Sequence, residues 1–381
     1  MRVATCSRVN TSAGTQLYFT NNYTLLEGAQ FLGAGLVDQT AGTLTANGAI
    51  RAAAFTWSGG NWNAAANSGL TTTIAAGTVL NLTAGHDSYR DFSGRGIVNQ
   101  GVVNWQSAYL RGGNGSSFTN AAGATFNDQN ASGYTIHNPF GGTFAFTNAG
   151  TYVKSTSGTT QVQVPFTNTG TLLAQAGTLA FTTTFTNTGG SILAAGGNFS
   201  FSGGIDVGTG TLGGTGTITG NVTAAGNVSP GSSPGQLTIA GNLTLASTSR
   251  LLIELGGTNK GVNYDFLNVT GTAQLGGELR LSFVNGFQNA VPVGAEFVVV
   301  TAASLANPTT FSFSNVAPGQ RLLTTDGFGS FQVDYGSTSA FPALTNSVVL
   351  SNFVAVPEPS TYGMLSLGAV AVFASWRRRR R

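Results

Sequence analysis

The feature that most narrows the fold is a repeat close to 20 residues long. Phe-Thr-Asn occurs at residues 19–21, 118–120, 146–148, 166–168 and 185–187, and the last three asparagines are 20 and 19 residues apart. Gly-Asn-Val-Thr at 220–223 returns as Gly-Asn-Leu-Thr at 241–244, a step of 21, with Gly-Asn-Val-Ser at 226–229 between them. A second unit, Gly-Thr followed by an apolar residue, starts at Gly42, Gly77, Gly142, Gly170, Gly177, Gly210 and Gly216. Such a period in a sequence rich in Gly, Thr and Asn suggests one coil of a solenoid. The chain holds 55 glycines, which turn corners wherever positive φ is needed. No amphipathic helical pattern precedes the last 26 residues.

These observations predict an all-β fold, a right-handed parallel β-helix over residues 1–249. Its strands stack at about 4.8 Å, so some 12 coils reach about 55 to 60 Å. Like residues then lie above like. Phe and Leu fill the interior, and asparagines at one corner form an amide ladder. The rival is a β-sandwich, which also explains short strands and glycine turns. Residues 250–355 read as longer, more apolar strands such as 251–255, 277–283 and 296–300, expected to form closing coils or a sandwich-like cap. An open solenoid end exposes core and strand edges.

The last 26 residues are of another kind. Val356 and Glu358 each precede a proline, Pro357 and Pro359, which disfavours helix and leaves an extended stretch. Residues 360–376 carry no charge, and as a helix they span roughly 25 Å, just enough to cross a bilayer with flanking help. Tyr362, Leu365, Leu367, Val370, Val372, Phe373 and Trp376 are the expected membrane anchor. Arg377, Arg378, Arg379, Arg380 and Arg381 form a cytoplasmic stop that leaves the body outside the cell.

Pro-Glu-Pro, an apolar segment and terminal arginines, in that order, resemble the PEP-CTERM sorting signal of exopolysaccharide-producing Gram-negative bacteria. The resemblance implies a membrane-embedded exosortase as processing partner, cutting near residues 356–359. It implies anchorage in the inner membrane before processing, then display at the cell surface or release into the extracellular matrix. In the body, residues 208–223 and 229–245 are similar to passenger repeats of autotransporter β-helices, and residues 57–62 more loosely so. The C-terminal translocator barrel of that class has no counterpart within the roughly hundred residues before the tail.

Charge and cysteine content exclude several function classes. The tail holds five of the 16 Lys/Arg and one of the 13 Asp/Glu, so the body has 11 against 12 and is near neutral. Nucleic acid is therefore not expected as a partner. Cys6 is the only cysteine, which rules out intramolecular disulfides and cysteine-built zinc sites. The first 12 residues lack the apolar run of a signal peptide, so such a segment is expected upstream of Met1 in the reading frame.

Chemistry-bearing residues are few. Residues 86–91, His-Asp-Ser-Tyr-Arg-Asp, combine acid, base and hydroxyl types, but sequence adjacency does not give catalytic geometry, and a polar corner loop accounts for them. His137 reads as a turn residue beside Pro139. Trp57, Trp62, Tyr89 and Trp105 could stack on sugars, though core positions suit them better. No glycine-rich calcium repeat or phosphate loop occurs, so no cofactor or metal is expected. The sequence thus points to a non-enzymatic structural or adhesive surface protein with exopolysaccharide or other surface proteins as partners. The alternative is a secreted β-helical polysaccharide lyase or glycoside hydrolase, which needs carboxylates converging on one groove.

Overall fold

The computed structural model describes residues 8–25, 29–307, 310–336 and 342–356. They form a parallel β-solenoid of the right-handed type with about 11 turns, and the sandwich alternative is excluded. Apart from short 3-10 turns such as Phe287–Asn289 and Pro342–Leu344, the described residues hold no helix.

Each coil has three faces. In one representative coil Phe144–Asn148 lies on the first face, Thr151–Lys154 on the second and Thr159–Val162 on the third. The second face stacks 13 strands from Gln16–Phe19 to Glu278–Phe283. Strands of four residues with every other side chain inward suit this geometry, as in Thr171–Ala174, where Leu172 and Ala174 are buried and Thr171 and Leu173 half-buried. The repeat is therefore a coil, and the alternation within it is a strand.

The tripeptide repeats lie in register. Phe118, Phe146, Phe166 and Phe185 occupy one column of the first face and stack with centroids 4.8, 4.9 and 5.9 Å apart and interplanar angles of 9°, 8° and 14°. Burying each ring is worth about 2 to 3 kcal/mol. Phe19 is an exception: it ends a strand of the second face, so the Phe-Thr-Asn at 19–21 belongs to another column. Trp57, Trp62 and Trp105 are wholly interior, with Trp57 and Trp62 stacked face to face at 4.1 Å. They present nothing to a sugar, and Tyr89 alone of the four aromatic candidates is exposed.

Towards the C-terminus the geometry changes. Phe266–Gln274 pairs with Gln236–Ala240 on the third face and then, beyond an irregularity between Val269 and Thr272, with Leu243–Leu245. Phe297–Leu305 is the last strand laid parallel on the stack. Ser347–Ala355 runs antiparallel to it, followed by Gly329–Tyr335 and Arg321–Leu323, also antiparallel.

Candidate functional site

The described chain ends where the tail begins. Ser347–Ala355 is its final strand, and Val356 donates its backbone N–H to Phe328 O at 2.9 Å while its side chain stays 46% exposed. The described chain thus ends at the antiparallel end of the solenoid, one residue beyond its final strand, with Val356 half-exposed. Pro357, Glu358, Pro359, the anchor residues from Tyr362 to Trp376 and the arginines 377–381 lie outside the described residues, as does Cys6. No helix among the described residues is long and apolar enough to cross a membrane.

The polar cluster at 86–91 gathers partners the sequence did not reveal. Ser58 Oγ donates to Asp38 Oδ1 at 2.7 Å and lies 3.0 Å from His86 Nδ1, so serine, histidine and aspartate from three coils meet. The carboxylate contacts the serine rather than the imidazole, so these contacts do not form the relay in which an aspartate orients a histidine against a serine. Asp87 accepts from Gly60 N–H, Tyr89 N–H and Arg90 Nη2, and Arg90 also reaches Ser58 O at 3.0 Å. Burial lowers the Arg90 guanidinium from its ordinary value against the pull of Asp87, but an arginine stays charged. The cluster fastens the corner between adjacent coils.

Outside the third face, Asp91 and Arg111 form a bidentate pair at 2.7 and 2.8 Å, and the guanidinium lies 3.7 Å over the Tyr89 ring. His137 is held by Thr135 Oγ1 at 2.8 Å and packs edge-on against Tyr109; burial, more than Arg111, lowers its pKa from the ordinary value. Among the described residues no three His, Cys, Asp or Glu converge as metal ligands. Asp265 accepts from Gly235 N–H at 2.8 Å and Glu254 N–H at 2.9 Å, and burial raises its pKa to about 7.

Arg95, Asp128 and Lys154 are among the buried ionic residues that escaped sequence reading. Arg95 reaches Trp62 O at 2.7 Å and Thr72 Oγ1 at 3.2 Å inside the solenoid. Asp128 and Lys154 face each other in the core with no exposed surface. The readable signal was register: both end four-residue strands, Thr125–Asp128 and Thr151–Lys154, at an inward position.

No curated protein matches the chain. The PEP-CTERM protein-sorting motif matches residues 355–380, spanning the last residue of the final strand and almost the whole tail. The chain is thus an exported protein whose β-solenoid body is followed by a PEP-CTERM sorting signal, the substrate of an exosortase.

Proposed function

We propose that the protein is a non-enzymatic structural or adhesive component of the cell surface or extracellular matrix of a Gram-negative bacterium. The observation that carries this reading is the union of a terminal sorting motif with a solenoid whose exterior is nearly uncharged. Between Lys154 and Arg250, Asp206 is the only charged residue. Ranks of small polar groups run up the faces instead, as in Thr125, Thr151, Thr171, Ser191 and Thr211 on the second. Such a surface offers many weak, equivalent contacts to exopolysaccharide or to another surface protein, and their strength comes from multivalency. The antiparallel strands between 321 and 355 act as a cap that covers the last coil and keeps strand edges from pairing with other chains. Residues 360–376 hold the chain in the inner membrane until the exosortase cuts near Pro357-Glu358-Pro359, with the five arginines fixing orientation.

The test is the intact mass and location of the protein in its own host, with Pro357, Glu358 and Pro359 intact or all replaced by alanine. Loss of the tail near residue 356 and appearance at the surface or in the medium are expected for the natural sequence. The triple variant should keep its full mass and stay in the inner membrane. An uncut chain in both cases would reduce the tail to a plain anchor and remove the basis of this reading.

A further inference from the structure

One pair of reactive groups is set up for chemistry that neither the repeat nor the tail requires. Lys154 is one of two lysines in the chain. It is a register partner of Asp128 on the adjacent coil, and both side chains are fully buried. Nζ stands 3.6 Å from Oδ1, and it also donates to Asn130 O at 2.7 Å and Thr156 Oγ1 at 2.8 Å. Two N–H bonds are thereby directed at fixed acceptors, and the carboxyl group is the third polar neighbour of the nitrogen. Asp128 Oδ2 accepts from Tyr152 Oη at 3.1 Å. Tyr152 is itself locked by stacking on Phe126 at 4.8 Å.

A charge pair in a dry interior gains attraction but loses hydration, and the loss can exceed the gain. Burial raises the Asp128 pKa and lowers that of Lys154, outweighing their mutual attraction. Both directions lean towards a proton on the carboxyl and a neutral amine, the forms that a condensation of the two groups requires.

The geometry points to an intramolecular isopeptide bond between Lys154 Nζ and Asp128 Cγ, formed by condensation of the two side chains within the folded solenoid. The Nζ–Cγ bond forms and the Cγ–Oδ1 bond breaks. Oδ1 leaves as water, carrying its own proton and one from Nζ, and the amide nitrogen keeps one hydrogen. Tyr152 Oη donates to Oδ2, where negative charge develops as nitrogen attacks. The reaction needs no oxidant, metal or second substrate, and stacking has already met the entropy cost of bringing the groups together. Its product is a covalent rung between two consecutive coils.

Tryptic digestion of the denatured full-length protein tests this. Between Arg111 and Arg250 the only cleavage site is Lys154. An isopeptide at Nζ blocks that cut, so the expected product is one species covering residues 112–250, lighter by one water than its sequence mass. Fragmentation should place the loss at Asp128 and Lys154. Separate peptides 112–154 and 155–250 at full mass overturn the proposal, as does a water loss mapped elsewhere. Lys154→Arg should restore full mass and cleavage at position 154; persistence of the water loss in that variant also overturns it. Because the readout is a mass after denaturation, the natural sequence decides the question even if the variant folds poorly.

Discussion

At the scale of the residue, the interior is organised by amides as much as by rings. Asn99 Nδ2 donates to Asn120 Oδ1, Asn120 to Asn148, Asn148 to Asn168 and Asn168 to Asn187, at 2.7 to 2.8 Å throughout. The ladder runs in one direction and ends where Asn187 Nδ2 meets Val207 O at 2.8 Å. A buried amide without partners is costly, so each rung depends on the next. A shorter ladder lies on the outside of the second face, where Asn127 donates to Asn104 and Asn104 to Asn81 at 2.9 and 3.0 Å. Chemically alike, the two ladders differ in access to water. Asn148→Ala orphans Asn168 Oδ1 and removes the acceptor of Asn120, and should destabilise by about 3 kcal/mol. Asn104→Ala, where water replaces the lost partner, should cost about 1 kcal/mol or less. Urea midpoints of the two variants measure the contrast, and equal shifts would deny the inner ladder its role.

At the scale of the element, the corners explain why glycine recurs after Phe-Thr-Asn. Gly150, Gly170, Gly190, Gly210 and Gly226 form a column between the first and second faces. A Cβ at Gly170 would overlap Gly150 O, one at Gly210 would overlap Gly190 O, and one at Gly226 would overlap Gly210 O. None of these five has positive φ; what they need is close approach of backbone to backbone. Left-handed φ does account for corners elsewhere, as at Gly177 with φ 62°. Gly170→Ala should therefore force adjacent coils apart and cost about 3 kcal/mol. Gly203→Ala, with nothing near its Cβ, should be tolerated and leave the melting temperature unchanged or slightly raised. Thermal unfolding followed by circular dichroism separates the two, and an equal drop would remove the steric account of the column. The coil and its amide ladder were legible because 146–187 repeats almost without insertion. Before Asn99 the coils vary in length, and Phe-Thr-Asn at 19–21 imitates the repeat on the wrong face. The Ser58, Asp38 and His86 contact was illegible because its members come from three coils whose unequal lengths hide their alignment. Buried Asp128 and Lys154 look like surface charges until register is known.

At the scale of the whole molecule, stability is a sum over neighbouring coils, since each strand of the parallel stack pairs only with the coils before and after it. That makes the coil the unit of tolerated change. Deleting residues 170–189 joins Thr169 to Gly190, so the tripeptide at 166–168 again leads through one threonine and one glycine into a second-face strand, Ser191–Ala194. Thr151 then stacks under Ser191, Thr159 under Asn198, and Phe166 under the coil that carries Ile205. Asn168 takes the terminal place of Asn187, with Val207 O in reach of its amide. Every face keeps its partner, so this variant should retain its β-sheet circular dichroism and its cooperative melt. Removing only residues 170–179 instead places Phe181 and its neighbours of the third face against the second-face strand Thr151–Lys154. Inward and outward positions, amide ladder and glycine column all lose phase beyond that point. This shorter deletion should abolish the cooperative transition although it removes half as much chain. If both deletions melt alike, the coil is not the structural unit, and stability resides in contacts that the stack does not define.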